Sequence, residues 1–148
     1  MNFSFINYKK TKPNAICPER ATEGAAGYDL RACIDEPVII KPNETCVIDT
    51  GIAVEFLPGT FGAVFSRSGL AIKQGLHVQN GVGVIDEDYR DSIKVALHNN
   101  STEPRTILPN TRIAQLVVIP YLVLKWQRKT ELSETKRGLG GLGSTGEN

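Results

Sequence analysis

Val78-Gln79-Asn80-Gly81-Val82-Gly83-Val84-Ile85-Asp86-Glu87-Asp88-Tyr89-Arg90 is the stretch around which this chain is organised. Apolar residues interrupted by two glycines run into three consecutive carboxylates and close on an aromatic ring beside an arginine. The pattern predicts a β-hairpin with an acidic turn. Gly81 and Gly83 leave backbone N–H and C=O groups uncovered, as main chain must be where a flat ligand lies against it. Two readings fit the segment alone: an ordinary hairpin with a solvated turn, or a pocket for a planar base with an acid and a tyrosine at its mouth.

Outward from this stretch, short strand-like runs repeat. Phe3–Tyr8 alternates, and after the Gly24-Ala25-Ala26-Gly27 turn a strand begins at Tyr28-Asp29-Leu30-Arg31-Ala32. Val38–Ile40 and Thr45–Ile48 flank the turn Lys41-Pro42-Asn43-Glu44; Ile52–Phe56 and Phe61–Phe65 flank Leu57-Pro58-Gly59-Thr60. Past the acidic turn, Ser92–His98 alternates with Ile93, Val95 and Leu97 on one face. Thr106–Leu108 follows, then Ile113–Ile119 up to Pro120. The alternation lapses between Ser68 and Gln74, where Ser68 is placed to cap one helical turn stopped at Gly75. Short strands at regular spacing with Pro, Gly and Asn turns describe an all-β sandwich or barrel with at most one short helix. The barrel is expected over residues 1–125. Residues 126–148, charged and then glycine-rich, read as a flexible C-terminal arm.

At 148 residues the chain is one domain, large enough for a core without staples. Seventeen basic and 16 acidic side chains give a net charge of +1, which offers no footprint for duplex nucleic acid or an anionic membrane. Cys17, Cys33 and Cys46 lack paired spacing and read as reduced thiols. His77 and His98 have no partner at metal-ligand spacing and read as structural. The N-terminus lacks the charged-then-apolar order of a signal peptide, and no apolar run approaches the ~20 residues that span a bilayer. A cytoplasmic or nuclear location is expected, with no nucleic-acid or membrane partner.

Three clusters outside the central stretch point at phosphate, each with a plainer alternative. Ser66-Arg67-Ser68-Gly69-Leu70 sets a guanidinium and a hydroxyl at the start of the helical turn; it is either an anion site or an ordinary cap with a surface arginine. In Arg112-Ile113-Ala114-Gln115-Leu116, alternation puts Arg112, Ala114 and Leu116 on one face and Ile113 and Gln115 on the other. Gln115 then either satisfies a backbone group or reaches a ligand. The tail Arg137-Gly138-Leu139-Gly140-Gly141-Leu142-Gly143-Ser144-Thr145-Gly146 can clamp phosphate through bare N–H groups and hydroxyls once ordered. Asp29, at a strand start, is most simply turn chemistry.

Ala25–Ala32, Arg67–Ala71, Asn80–Arg90, Arg112–Leu116 and Arg137–Gly146 together resemble the five motifs of the trimeric dUTPases, in their order and over nearly the whole chain. The resemblance implies a jelly-roll-like β-barrel homotrimer that hydrolyses dUTP to dUMP and pyrophosphate with Mg²⁺. Each site would draw on three subunits: motifs one, two and four from one chain, the hairpin from a second, the arm from a third. By the same resemblance Asp86 activates the water that attacks the α-phosphorus and contacts the 3′-hydroxyl. Tyr89 packs under the deoxyribose, and main chain around Asn80 and Gly83 reads uracil. Arg67, Ser68, Gly69 and Gln115 hold the phosphates; Asp29 lies near Mg²⁺, through water. Arg137, Gly143, Ser144 and Thr145 close on the γ-phosphate, with Leu142 over the base.

Several positions depart from the family's pattern. Leu142 replaces the usual Phe, Asn110-Thr111 a usual Gly-acid pair, Ser66 a common Pro and Asp91 a common Gly. Two other readings use the same fold: a catalytically weak relative that binds a protein partner, and deamination of dCTP. All the matched catalytic residues are present, and the Asp-x-Asp-Tyr-Arg turn with the glycine-rich arm favours dUTP.

Overall fold

The computed structural model describes residues 5–141, which form twelve short strands and one helix. Strands β2 (Glu19–Arg20), β3 (Tyr28–Arg31), β12 (Arg112–Pro120), β7 (Thr60–Phe65) and β9 (Val82–Ile85) make one sheet, in the order β2-β3-β12-β7-β9. A second sheet runs β5 (Thr45–Asp49), β10 (Lys94–Asn99), β8 (Leu76–Val78). Two ribbons complete the shell: β1 (Asn7–Lys10) with β6 (Ile52–Glu55), and β4 (Val38–Ile40) with β11 (Arg105–Ile107). Every pairing is antiparallel. This is the all-β, jelly-roll-like architecture expected, with one short helix.

Period-two alternation fills the interior. Ile93, Val95 and Leu97 share one face and are 0–1% exposed, as the sequence pattern requires. They pack with Leu30, Ile48 and Ile113 in one continuous core. Each such aliphatic side chain contributes roughly 1.5–3 kcal/mol by leaving water.

Strand β12 departs from strict alternation. Its register against β3 shifts between Arg112 and Ala114, so Ile113 and Ala114 are both buried while Gln115 stays partly open. A bulge supplies the extra residue that lets two neighbours face inward. The expected opposition of Ile113 and Ala114 is therefore corrected.

The largest correction concerns the central stretch. Strands β8 and β9 do not pair with each other: β8 hydrogen-bonds to β10 and β9 to β7. A tight turn, closed by Gly81 N–H to Val78 O at 3.0 Å, sends the chain from one sheet into the other. The two strands splay instead of laddering, which opens a slot between sheets.

The helix α1 (Ser68–Gln74) stands where the alternation lapsed and ends at Gly75 with φ of 68°. Arg67 rather than Ser68 occupies the N-cap position, and no side chain caps it, so Ser68 begins the helix itself. Of the expected first strand, Phe3 and Ser4 lie outside the described residues, and the strand observed spans Asn7–Lys10. The two-residue β2 pairs with β3, Glu19 opposite Asp29 and Arg20 opposite Tyr28.

Beyond Pro120 the described chain has no strand or helix. Leu122, Val123 and Leu124 are 70–83% exposed and Trp126 is 98% exposed. No helix among the described residues is long and apolar enough to cross a membrane.

Candidate active site

Two separate constellations emerge. The first occupies the slot between β8 and β9, a cavity of about 280 Å³ bordered by Val64, Asn80, Gly83, Asp86, Tyr89 and Ala96. Gly83 is what keeps it open: a Cβ there would stand 3.1 Å from the Val64 Cβ and 3.7 Å from the Asn80 amide nitrogen. The acidic turn is closed by Tyr89 N–H to Asp86 O at 3.1 Å, and the Tyr89 hydroxyl donates to Ser92 O at 3.1 Å. The Tyr89 ring is thus fixed along the wall while the Asp86 carboxylate stays exposed at the mouth.

The second constellation gathers Asp29, Arg67, Ser68, Gly69 and Gln115 around one open cavity of about 420 Å³. Asp29 Oδ1 accepts from Arg67 Nε at 2.9 Å and Oδ2 from Arg112 at 3.0 Å, while Arg67 also donates to Arg112 O at 3.1 Å. One carboxylate therefore orients two guanidiniums, a role turn chemistry alone did not foresee. Gln115 resolves half of its alternative: Nε2 donates to Ser66 O at 2.9 Å. Its Oε1 lies over Gly27, where a Cβ would come within 2.6 Å of it. The close approach explains why no side chain stands at Gly27.

Three of the departures from the motif pattern, at Asn110, Ser66 and Asp91, have structural accounts. Asn110 adopts φ of 64°, the left-handed conformation that Asn tolerates best after Gly, so the turn before β12 is kept. Ser66 Oγ accepts the Val78 N–H at 2.8 Å, tying the start of the helix to β8. Asp91 faces solvent, caps Ser92 N–H at 2.7 Å and pairs with Lys94 at 2.7 Å. The Lys94 ammonium holds the Asp91 carboxyl below its ordinary range. Its charge is answered locally.

A family model described as dUTPase matches residues 13–146. Proteins named deoxyuridine 5′-triphosphate nucleotidohydrolase are similar to the chain. That of Neisseria meningitidis serogroup B is 47% identical over 132 residues, 88% of each protein. That of Desulfitobacterium hafniense is 48% identical over 142 residues, 95% of this chain and 94% of its relative. The chain belongs to the dUTPase family.

Solved dUTPases agree in fold. The Staphylococcus bacteriophage 80alpha dUTPase with dUpNHpp superposes with a TM-score of 0.84 at 28% identity, covering 97% of this chain and 99% of that one. A mutant dUTPase from phage phi11 of S. aureus, described as coordinating a structural Mg(II) ion, gives 0.81 at 25% identity over 88% and 100%.

Within this dUTPase-family chain the arm residues are only partly described. Arg137 lies in a turn, donating from Nε to Gly140 O at 3.1 Å. Leu142, Gly143, Ser144 and Thr145 lie outside the described residues. Among the described residues the two constellations come together separately and share no lining residue.

Some contacts had no signal in the sequence. His77 and His98, read as structural, are cross-strand neighbours with ring centroids 5.3 Å apart, and the Thr45 hydroxyl lies 3.0 Å from His98 Nδ1. Asp49 joins Ser92 and Lys12, two groups from separate parts of the chain. Glu87, the middle acid of the turn, bonds Gly59 and Tyr121. Such contacts bridge residues that no local pattern relates.

Proposed function

We propose that this protein hydrolyses dUTP to dUMP and pyrophosphate by attack of water on the α-phosphorus, in a site completed by three copies of the chain. The observation that carries the reading is the division into two constellations: a narrow slot suited to a base, ending at a free carboxylate, and a cationic shelf suited to phosphates. They share no wall, so neighbouring copies bring the slot of one against the shelf of another. The exposed apolar segment Leu122–Trp126 supports the same assembly, because a lone chain would leave it in water.

In the slot, main chain around Asn80 and Gly83 pairs with the uracil edge. Cytosine is rejected because its exocyclic amine would leave those groups unmatched, and thymine by want of room for its methyl. Tyr89 packs against the deoxyribose and disfavours a 2′-hydroxyl. The exposed Asp86 carboxylate accepts the proton of the attacking water. On the shelf, Arg67 with Ser68, Gly69 and Gln115 holds the phosphate chain, Asp29 keeping the guanidinium aimed. Residues 1–125 form the barrel and residues 126–148 the arm, whose Arg137, Gly143, Ser144 and Thr145 cover the γ-phosphate while Leu142 lies over the base.

Mg²⁺ fits this donor set. Among the described residues no three His, Cys, Asp or Glu side chains converge as a metal cage, so the ion would take phosphate oxygens and water. Asp29 has acceptor capacity left after its two arginines and would bond a metal-held water. Bound there, Mg²⁺ neutralises charge on the polyphosphate.

Pyrophosphate release followed across dUTP, dTTP, dCTP and UTP with Mg²⁺ tests the reading. Turnover of dUTP alone is expected; ammonia from dCTP, or equal use of UTP, would refute it.

A further inference from the structure

Glu87, the middle acid of the turn, has no task in the mechanism. Its Oε2 accepts two hydrogen bonds, from Gly59 N–H at 2.7 Å and from the Tyr121 hydroxyl at 2.9 Å. Three segments distant in sequence meet at this oxygen: the turn before β7, the turn after β9, and the residue that follows β12. Tyr121 N–H also bonds Gly59 O at 3.0 Å, and its ring meets Phe61 edge-on with centroids 6.3 Å apart. The neighbouring carboxylate raises the Tyr121 hydroxyl above its ordinary range, chiefly through this hydrogen bond. The main chain of Glu87 is held as well, its carbonyl accepting from Arg90 at 2.7 Å.

Asp86 is the preceding residue. It borders both the base slot and the adjoining cavity lined by Phe61, Glu87 and Tyr121. An exposed carboxylate is only as well aimed as the backbone that carries it.

We infer that Glu87 is a positioning residue for Asp86, its carboxylate tying the acidic turn to Gly59 and Tyr121. This rests on the proposed dUTP hydrolysis. A charge role for Glu87 predicts differently, because Glu87→Gln removes the charge yet keeps an oxygen able to accept both bonds.

The test compares wild type, Glu87→Ala, Glu87→Gln and Tyr121→Phe by steady-state kinetics with dUTP and Mg²⁺. A misplacement near 1 Å costs about 100-fold in rate, so Glu87→Ala is expected to lose kcat on that order with KM little changed. Glu87→Gln recovers most of kcat. Tyr121→Phe, which keeps its ring on Phe61, gives a smaller loss. Amide exchange at Tyr89, whose N–H closes the turn, should quicken in Glu87→Ala. Wild-type kcat in Glu87→Ala, or equal losses in the Gln and Ala variants, overturns the inference. If Glu87→Ala does not fold, wild-type kcat in Tyr121→Phe overturns it. An inactive wild type would instead refute dUTP hydrolysis itself.

Discussion

Val64, only 2% exposed, belongs to the core and cannot retreat from a methyl group introduced at Gly83. Gly83→Ala should therefore fill the base slot, raising KM for dUTP well above wild type at a stability cost of about 1–3 kcal/mol. Kinetics with urea melts would read both effects. Asp86→Asn is expected to behave oppositely. Its carboxylate is exposed, so pyrophosphate release should vanish while the melting midpoint stays put. Arg67 and Arg112 both lean on Asp29, so Asp29→Ala should loosen both guanidiniums and raise KM more than it lowers kcat. Equal loss in kcat and kcat/KM would place Asp29 in the chemical step instead.

Among the elements, the junction of β5 with the segment entering β10 carries the clearest pH dependence. Burial alone would raise the Asp49 carboxyl, but the Ser92 hydroxyl, the Gly51 N–H and Lys12 together lower it below its ordinary value. The unfolded chain then binds the proton more tightly than the native one. Ionised Asp49 adds stability above the ordinary carboxylate value, and this is lost as pH falls through that value toward the lower native one. Asp49→Asn should flatten the acid limb of stability measured by chemical melts from about pH 6 to about 2.5. At the turn before β12, Asn110→Gly should be nearly neutral and Asn110→Ala should cost about 1 kcal/mol, because only the latter resists positive φ. These elements also show what local sequence can reveal. Ile93, Val95 and Leu97 announce β10 by alternation alone, and Gly75 announces the helix end. The divergence of β8 from β9 was not legible, because a glycine turn looks the same whether its flanks pair with each other or with β10 and β7. The bulge in β12 escaped for a related reason: one inserted residue shifts the period without changing composition. Of the site, the residue types were legible and the resemblance placed motifs one, two and four together, but the ion pairs that join them were not legible. Asp29 reaches Arg67 and Arg112 only once β3 lies beside β12.

For the whole molecule, Leu122–Trp126 is the decisive feature. Within it Trp126 is 98% exposed. In the proposed assembly another copy covers this segment, and sedimentation is expected to show a trimer. Removing residues 121–148 should weaken that assembly and abolish turnover, since it removes both the segment and the arm. The division of base slot from phosphate shelf then permits a direct test. An Asp86→Asn chain and an Arg67→Ala chain, each expected to be severely impaired alone, are unfolded together, refolded as a mixture and assayed for pyrophosphate release from dUTP. With each site drawing the slot and the shelf from different copies, random mixing should restore about a quarter of wild-type activity. A mixture no more active than its parents would contradict a shared site.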